Sequence, residues 1–285
     1  KGEVMPDVLV MTATPIPRTL ALTLYGDLDV SIIDQLPPGR KPVGTYWRTE
    51  TNRRQVYDHL IKTEVANGRQ GYVICPLVEE SDKLQAQAAT EWRDRLAADY
   101  PQVRFGLLHG RLKPAGKEAV MEQFRQGEIQ VLVATTVVEV GVDVPNASMI
   151  IIEGADRFGL SQLHQLRGRV GRGRHQSYCV LISDAKNEEA RERMQVMQKF
   201  TDGFSLSEKD LELRGPGEFF GTRQHGMPDL RVANPIADLP LLEKARSEAL
   251  ALVREDPQLR RPENQALRQA IRARLGEAFG FILVS

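Results

Sequence analysis

Three observations in the amino-acid sequence predict an α/β fold, a doubly wound parallel sheet followed by a helical region. Short runs rich in Val and Ile are apolar almost throughout, as strands covered on both faces of a parallel sheet must be. Helical patterns separate these runs, so right-handed βαβ crossovers are expected. After Asp184 the strand-like runs stop and only helical patterns remain.

In chain order the predicted strands are Val8–Thr12, Val43–Arg48, Gly71–Val78, Arg104–His109, Val131–Thr135, Met149–Glu153 and Ser177–Ser183. Among the helices between them, Asn52–Asn67 stops at Gly68, and Lys83–Asp99 is followed by Pro101. Pro114–Gln126 carries Val120 and Phe124 on one face and stops at Gly127. The Pro-rich stretch Asp34–Pro42 looks like an interdomain linker, which sets the linker at residues 37–42 between a leading segment 1–36 and a sheet domain 43–185. The helices Asn187–Phe200 and Ser207–Arg214 precede a Gly-rich loop, Gly215–Met227, and together form a unit at 186–228. Pro240–Glu255 and Glu263–Phe279 make a C-terminal helical region, 229–285.

With 285 residues, 41% hydrophobic and 27% charged, the chain can bury an ample core as one large domain or two smaller ones. The formal net charge of zero excludes a global basic field, so any nucleic-acid site must be a local patch. One such excess is Arg167, Arg169, Arg172, Arg174 and His175. A second group, Arg260, Arg261, Arg268, Arg272 and Arg274, is flanked by acids and reads as a solvated helix face. Cys75 and Cys179 sit in apolar runs, as buried strand thiols of a reducing compartment do, and no metal site is expected. No apolar stretch approaches about 18 residues and no signal-peptide pattern opens the chain, so no membrane partner is expected. The opening, without Met, reads as mid-domain sequence, which suggests a fragment of a larger cytoplasmic protein.

Gln165-Leu166-Arg167-Gly168-Arg169-Val170-Gly171-Arg172 is the most informative run. Wound as a helix, it places Gln165, Arg169 and Arg172 on one face and Leu163, Leu166 and Val170 on another. Gly168 and Gly171 would each cost about 1 kcal/mol there, so something is expected to approach the backbone closely. Two forked, permanently charged guanidiniums on a rigid face suit a polyphosphate; the competing reading is a solvated or nucleic-acid-bound arginine face. The chain supplies no phosphate cradle of its own. Gly110-Arg-Leu-Lys-Pro-Ala-Gly116-Lys117 has five residues between its glycines rather than four, and Glu118 stands where Ser or Thr should ligate Mg²⁺. No acidic metal motif accompanies it, so this polypeptide alone is not expected to hydrolyse ATP.

The order of Thr12-Ala13-Thr14-Pro15, Thr135–Asp143 and Gln165–Arg172 resembles motifs III, V and VI of the superfamily-two helicases. The resemblance covers most of the chain and implies RecA-like lobes that clamp one ATP, with residues 1–36 the tail of the first lobe and 43–185 the second. ATP and Mg²⁺ would be bound mainly by the first lobe. Arg172 then resembles the arginine finger on the γ-phosphate, Arg169 its companion, and Gln165 the residue that polarises the site. Gly141 and Asp143 resemble the motif V residues beside the nucleotide; the alternative for Asp143 is a turn residue before Pro145. Thr135 and Thr136 resemble contacts to the nucleic-acid backbone, with helix capping the alternative. Thr12 and Thr14 resemble the link between hydrolysis and lobe movement.

Asp202-Gly203-Phe204 through Leu211-Glu-Leu-Arg214-Gly215-Pro216-Gly217 to Gly221-Thr222-Arg223-Gln224-His225-Gly226 resembles the translocation segment of fork-remodelling double-stranded DNA translocases in that superfamily. Arg193, Arg214, Arg223 and Gln224 match its DNA-binding and coupling positions, with bracing of the hairpin the alternative for the two helix arginines. The resemblance implies duplex and branched DNA (stalled forks, Holliday junctions) as partners, in recombination and repair, beside the protein's own N-terminal lobe and wedge domain. It implies a monomer associated with the nucleoid. The transcription-repair coupling factors share the hairpin but usually carry Gly-Glu-Glu-Gln where this chain has Gly221–Gln224, and Ala at Pro216. A non-catalytic docking module is the other alternative, and the complete Gln165/Arg169/Arg172 set argues against it.

Overall fold

Six of the apolar runs pair in parallel into one sheet of order β1-β6-β5-β2-β4-β3. The strands are β1 Gly44–Arg48, β2 Gln70–Ile74, β3 Phe105–Leu108, β4 Val131–Ala134, β5 Ala147–Glu153 and β6 Tyr178–Ile182. A computed structural model describes residues 40–75, 82–135, 143–214 and 239–275, with Leu9, Met11, Ser31 and Ile33. Most of the predicted strand Val8–Thr12, most of the linker and the loop Gly215–Met227 lie outside the described residues. The stretches from 40 to 214 form one compact unit, and 239 to 275 belong to a second.

Alternation along the central strands decides which face each side chain joins. Tyr72, Ile74, Leu132, Ile150 and Ile152 share a core with Phe124 of α3 (Pro114–Arg125) and with Leu160, Leu163 and Leu166 of α4 (Leu160–Arg167). Met194, Met197 and Leu206, from α5 (Glu188–Lys199) and α6 (Gly203–Arg214), complete that core. Val73, Val131, Val133, Met149 and Ile151 face the other way, onto Leu60, Ala89 and Leu96. Leu60 comes from the π-helical extension Leu60–Val65 of helix α1 (Arg53–His59), which adds Val56 and Tyr57, and the other two from α2 (Asp82–Asp99). Helices therefore cover both faces of the parallel sheet, as predicted.

Helix ends follow their local chemistry. Asn187 caps α5, its Oδ1 accepting the Ala190 N–H at 2.8 Å. Asp202 does the same for α6 through Ser205 N–H at 2.8 Å, so that helix starts before the Ser207 predicted for it. The predicted Asn52–Asn67 helix is divided among a 3₁₀ turn, α1 and the π-helical segment, and the chain then turns at Gly68 (φ +77). In the second unit α7 (Leu239–Glu255) and α8 (Gln265–Leu275) flank a turn tied by Asp256, which accepts the backbone N–H groups of Arg260 and Arg261, both at 2.9 Å. A hydrogen bond from the Asn264 side chain, and then these two, hold its carboxyl down to about 2.

Candidate functional site

The arginine run is not one helix, which corrects the sequence expectation. Helix α4 ends at Arg167 with Gly168 as its C-cap. Arg169 and Val170 then donate backbone N–H groups to the Leu166 and Arg167 carbonyls in tight i→i+3 turns, and Gly171 reverses the chain at φ +78. Only Gln165 remains on the helix; Arg169 and Arg172 project from the turn beyond it. Leu163, Leu166 and Val170 are fully buried, so the apolar anchoring holds.

The close approach expected at Gly168 and Gly171 is met at Gly171 alone, where the neighbour is the chain itself; Gly168 faces only the Gln165 and His164 carbonyls of its own helix, and Gly173 adds a contact that was not expected. A Cβ on Gly173 would lie 2.2 Å from the Pro145 carbonyl oxygen, and one on Gly171 2.6 Å from Val43 Cγ2. The Gly171 carbonyl also accepts Arg40 Nε at 3.0 Å. This seam brings the β4–β5 crossover against the arginine turn.

Asp143 and Arg172 meet there. Arg172 Nη1 lies 3.6 Å from Asp143 Oδ1, and its Nε donates to the Gly168 carbonyl at 3.0 Å. The Asp143 side chain is 59% exposed and that of Arg172 31%, so the pair is open to solvent and its guanidinium has donors to spare. Tyr72 of β2 is 1% exposed and stands edge-on to Phe124, their ring centroids 5.0 Å apart. Burial pushes its hydroxyl up to about 12, against the pull of the nearby Arg169 and Arg172, with Asp143 adding to the rise. Tyr72 was read from sequence only as a strand residue; the alternation that puts it on the α3–α4 face is the signal that could have found it. The Arg172 guanidinium thus shares an exposed carboxylate across about a van der Waals gap and keeps its remaining N–H donors toward solvent. Among the described residues no group of three or more His, Cys, Asp or Glu could hold a metal ion.

The other predicted residues are dispersed. Thr135 follows β4, is 5% exposed and donates its backbone N–H to the Leu108 carbonyl at 3.1 Å. Arg193 of α5 donates Nη2 to the Asp156 carbonyl at 3.0 Å and lies 3.9 Å from Glu189. It therefore grips the β5–α4 connection from the hairpin side, beside an open polar pocket that Gln162 and Asp210 also line. Arg214 closes α6, and its side chain is outside the described part. Thr12, Thr14, Thr136, Gly141, Arg223 and Gln224 lie outside the described residues. Cys75 and Cys179 are free, buried thiols, each pushed up to about 12 by burial. Among the described residues no helix is long and apolar enough to cross a membrane.

Sequence reasoning missed Arg167. It was counted in a basic patch, yet it is 4% exposed and donates to the Met197, Phe200 and Thr201 carbonyls.

The sheet order, the helices on both faces and the arginine turn define the class: a RecA-like helicase lobe with a helical hairpin attached. Residues 52–174 match the family described as Helicase conserved C-terminal domain, and 200–277 match ATP-dependent DNA helicase RecG, domain 3, C-terminal. The chain is 56% identical over 255 residues to the ATP-dependent DNA helicase RecG of Synechocystis sp., covering 89% of this chain and 31% of that protein. It is 52% identical over 270 residues to the Bacillus subtilis protein of the same name, covering 93% and 39%. A solved structure of RecG bound to a three-way DNA junction superposes with a TM-score of 0.66 at 46% identity, over 84% of this chain and 31% of that one. The chain belongs to the RecG family. It spans between three and four tenths of the length of these curated relatives.

Proposed function

We propose that this chain is the C-terminal motor portion of an ATP-dependent double-stranded DNA translocase that acts on branched DNA in recombination and repair. The observation that carries the reading is the open Arg172–Asp143 pair beside Arg169, at the seam between the β4–β5 crossover and the arginine turn. Arg172 is the finger that meets the γ-phosphate, because a forked cation stabilises charge that develops only during transfer. Arg169 and Gln165 steady the phosphates, and Gly141 and Asp143 border the nucleotide. A first lobe elsewhere in the protein supplies the phosphate cradle and Mg²⁺. Thr135, Thr136, Thr12 and Thr14 serve the DNA backbone and the transmission of lobe movement.

Arg193, Arg214, Arg223 and Gln224 couple that movement to the duplex. The relative solved on a three-way junction supports branched DNA as the substrate class. The protein works as a monomer in the cytoplasm, on the nucleoid.

The test joins this chain to its first lobe and measures DNA-stimulated ATP hydrolysis. Arg172→Ala should lower turnover by about 10³-fold or more while the fold is retained. Unchanged turnover would remove the finger assignment.

A further inference from the structure

Arg167 is the last residue of α4, and a guanidinium so deeply buried needs an unusual set of partners. Its Nη1 donates to the Met197 carbonyl at 3.0 Å and the Phe200 carbonyl at 2.9 Å, and reaches Thr45 Oγ1 of β1 at 3.4 Å. Its Nη2 donates to the Thr201 carbonyl at 2.9 Å and to His164 Nδ1 at 3.0 Å. The three carbonyls belong to the C-terminal end of α5 and the turn into α6, where the helix dipole is negative. Burial lowers the guanidinium's pKa, and Cys179 and Asp202 oppose that pull.

The next residue is Gly168, whose carbonyl holds Arg172 Nε. An unbroken path thus runs from Arg172 through Gly168 and Arg167 to the tip of the hairpin. Arg193 closes the loop from the opposite side, through the Asp156 carbonyl. Two arginines hold the hairpin: Arg167 at the start of the arginine turn, and Arg193 by its grip on the β5–α4 connection.

We infer that Arg167 is the positioning residue that ties the arginine turn to the helical hairpin, so that displacement of one carries the other. The inference rests on the motor reading above and names the residue that transmits motion in it. Only a planar fork reaches carbonyls on both sides of the guanidinium; a lysine ammonium would keep the charge and lose half of the contacts.

In the full-length protein, Arg167→Lys and Arg167→Gln are compared with wild type in DNA-stimulated ATP hydrolysis and in unwinding of a synthetic fork. Both activities are normalised to the folded fraction from circular dichroism. Hydrolysis is expected to stay within about threefold of wild type while unwinding falls about tenfold or more, so that more ATP is spent per fork opened. Should both variants fold poorly, Thr45→Val trims one contact of the same guanidinium, and the same split is expected at smaller size. Proportionate loss of both activities makes Arg167 a brace and overturns the inference, as does wild-type unwinding in both variants. A wild-type protein that hydrolyses no ATP on DNA overturns the motor reading itself, and the Arg167 inference with it.

Discussion

His164 is held neutral where an ordinary histidine is half protonated. Burial, and then the Arg167 charge 3.0 Å from Nδ1, bring its pKa from 6.5 down to about 4. The unfolded chain therefore binds a proton near pH 6.5 that the folded chain refuses until about pH 4. The stability tied to this group is fully present above the unfolded value and is lost as pH falls through that window. At about pH 5 the loss should be at most about 2 kcal/mol. Urea-unfolding midpoints at about pH 7.5 and 5 should fall further in wild type than in His164→Gln. Equal falls would locate the acid sensitivity elsewhere. At this scale the sequence was only partly legible. Asp143 and Arg172 were named as partners of one nucleotide from motifs alone, and they lie 3.6 Å apart. Arg167 was not, because its carbonyl partners lie 30 to 34 residues further along the chain, and spacing within one segment carries no trace of them.

At the scale of the element, periodicity located every strand of the sheet to within two residues at its start. It misjudged the arginine run, because Gly168 and Gly171 were read as interior positions of one helix. Gly168 instead ends the helix, and the two glycines that follow it let the chain pass close to itself. Periodicity counts side chains on a face and is blind to a cap inside the same pattern. The turn makes Gly173 a sensitive position. A methyl there would collide with the Pro145 carbonyl, a backbone atom that can yield only if the crossover carrying Asp143 moves. Gly173→Ala should cost about 1–3 kcal/mol in urea unfolding, as overpacking does, and should widen the Arg172–Asp143 separation. A variant as stable as wild type would show that the seam is looser than its 2.2 Å geometry implies.

For the molecule as a whole, Asp184 marks where strands give way to helices, and the core runs straight across it. Met194, Met197 and Leu206 of the hairpin pack in one cluster with Leu163, Leu166, Cys179 and Leu181 of the sheet layer. Arg167 and Arg193 then pin the hairpin at two points with backbone carbonyls. The change of element type was plain in the sequence; the shared core was not, because α5 and α6 show only which of their faces is apolar, not what that face covers. Sheet and hairpin should consequently unfold together. A piece ending at residue 185 uncovers several large apolar side chains, each worth about 1.5–3 kcal/mol of burial, and strands the Arg167 charge. That sum rivals the whole stability of a domain, about 5–15 kcal/mol. Calorimetry on residues 40–224 should give one cooperative transition, whereas residues 40–185 should melt broadly at a much lower temperature and bind a hydrophobic dye before melting. If the shorter piece melts sharply within a few degrees of the longer one, the hairpin is an appendage on a finished lobe. In the motor reading proposed above, motion would then pass only through the chain that links them, not through a body that moves as one.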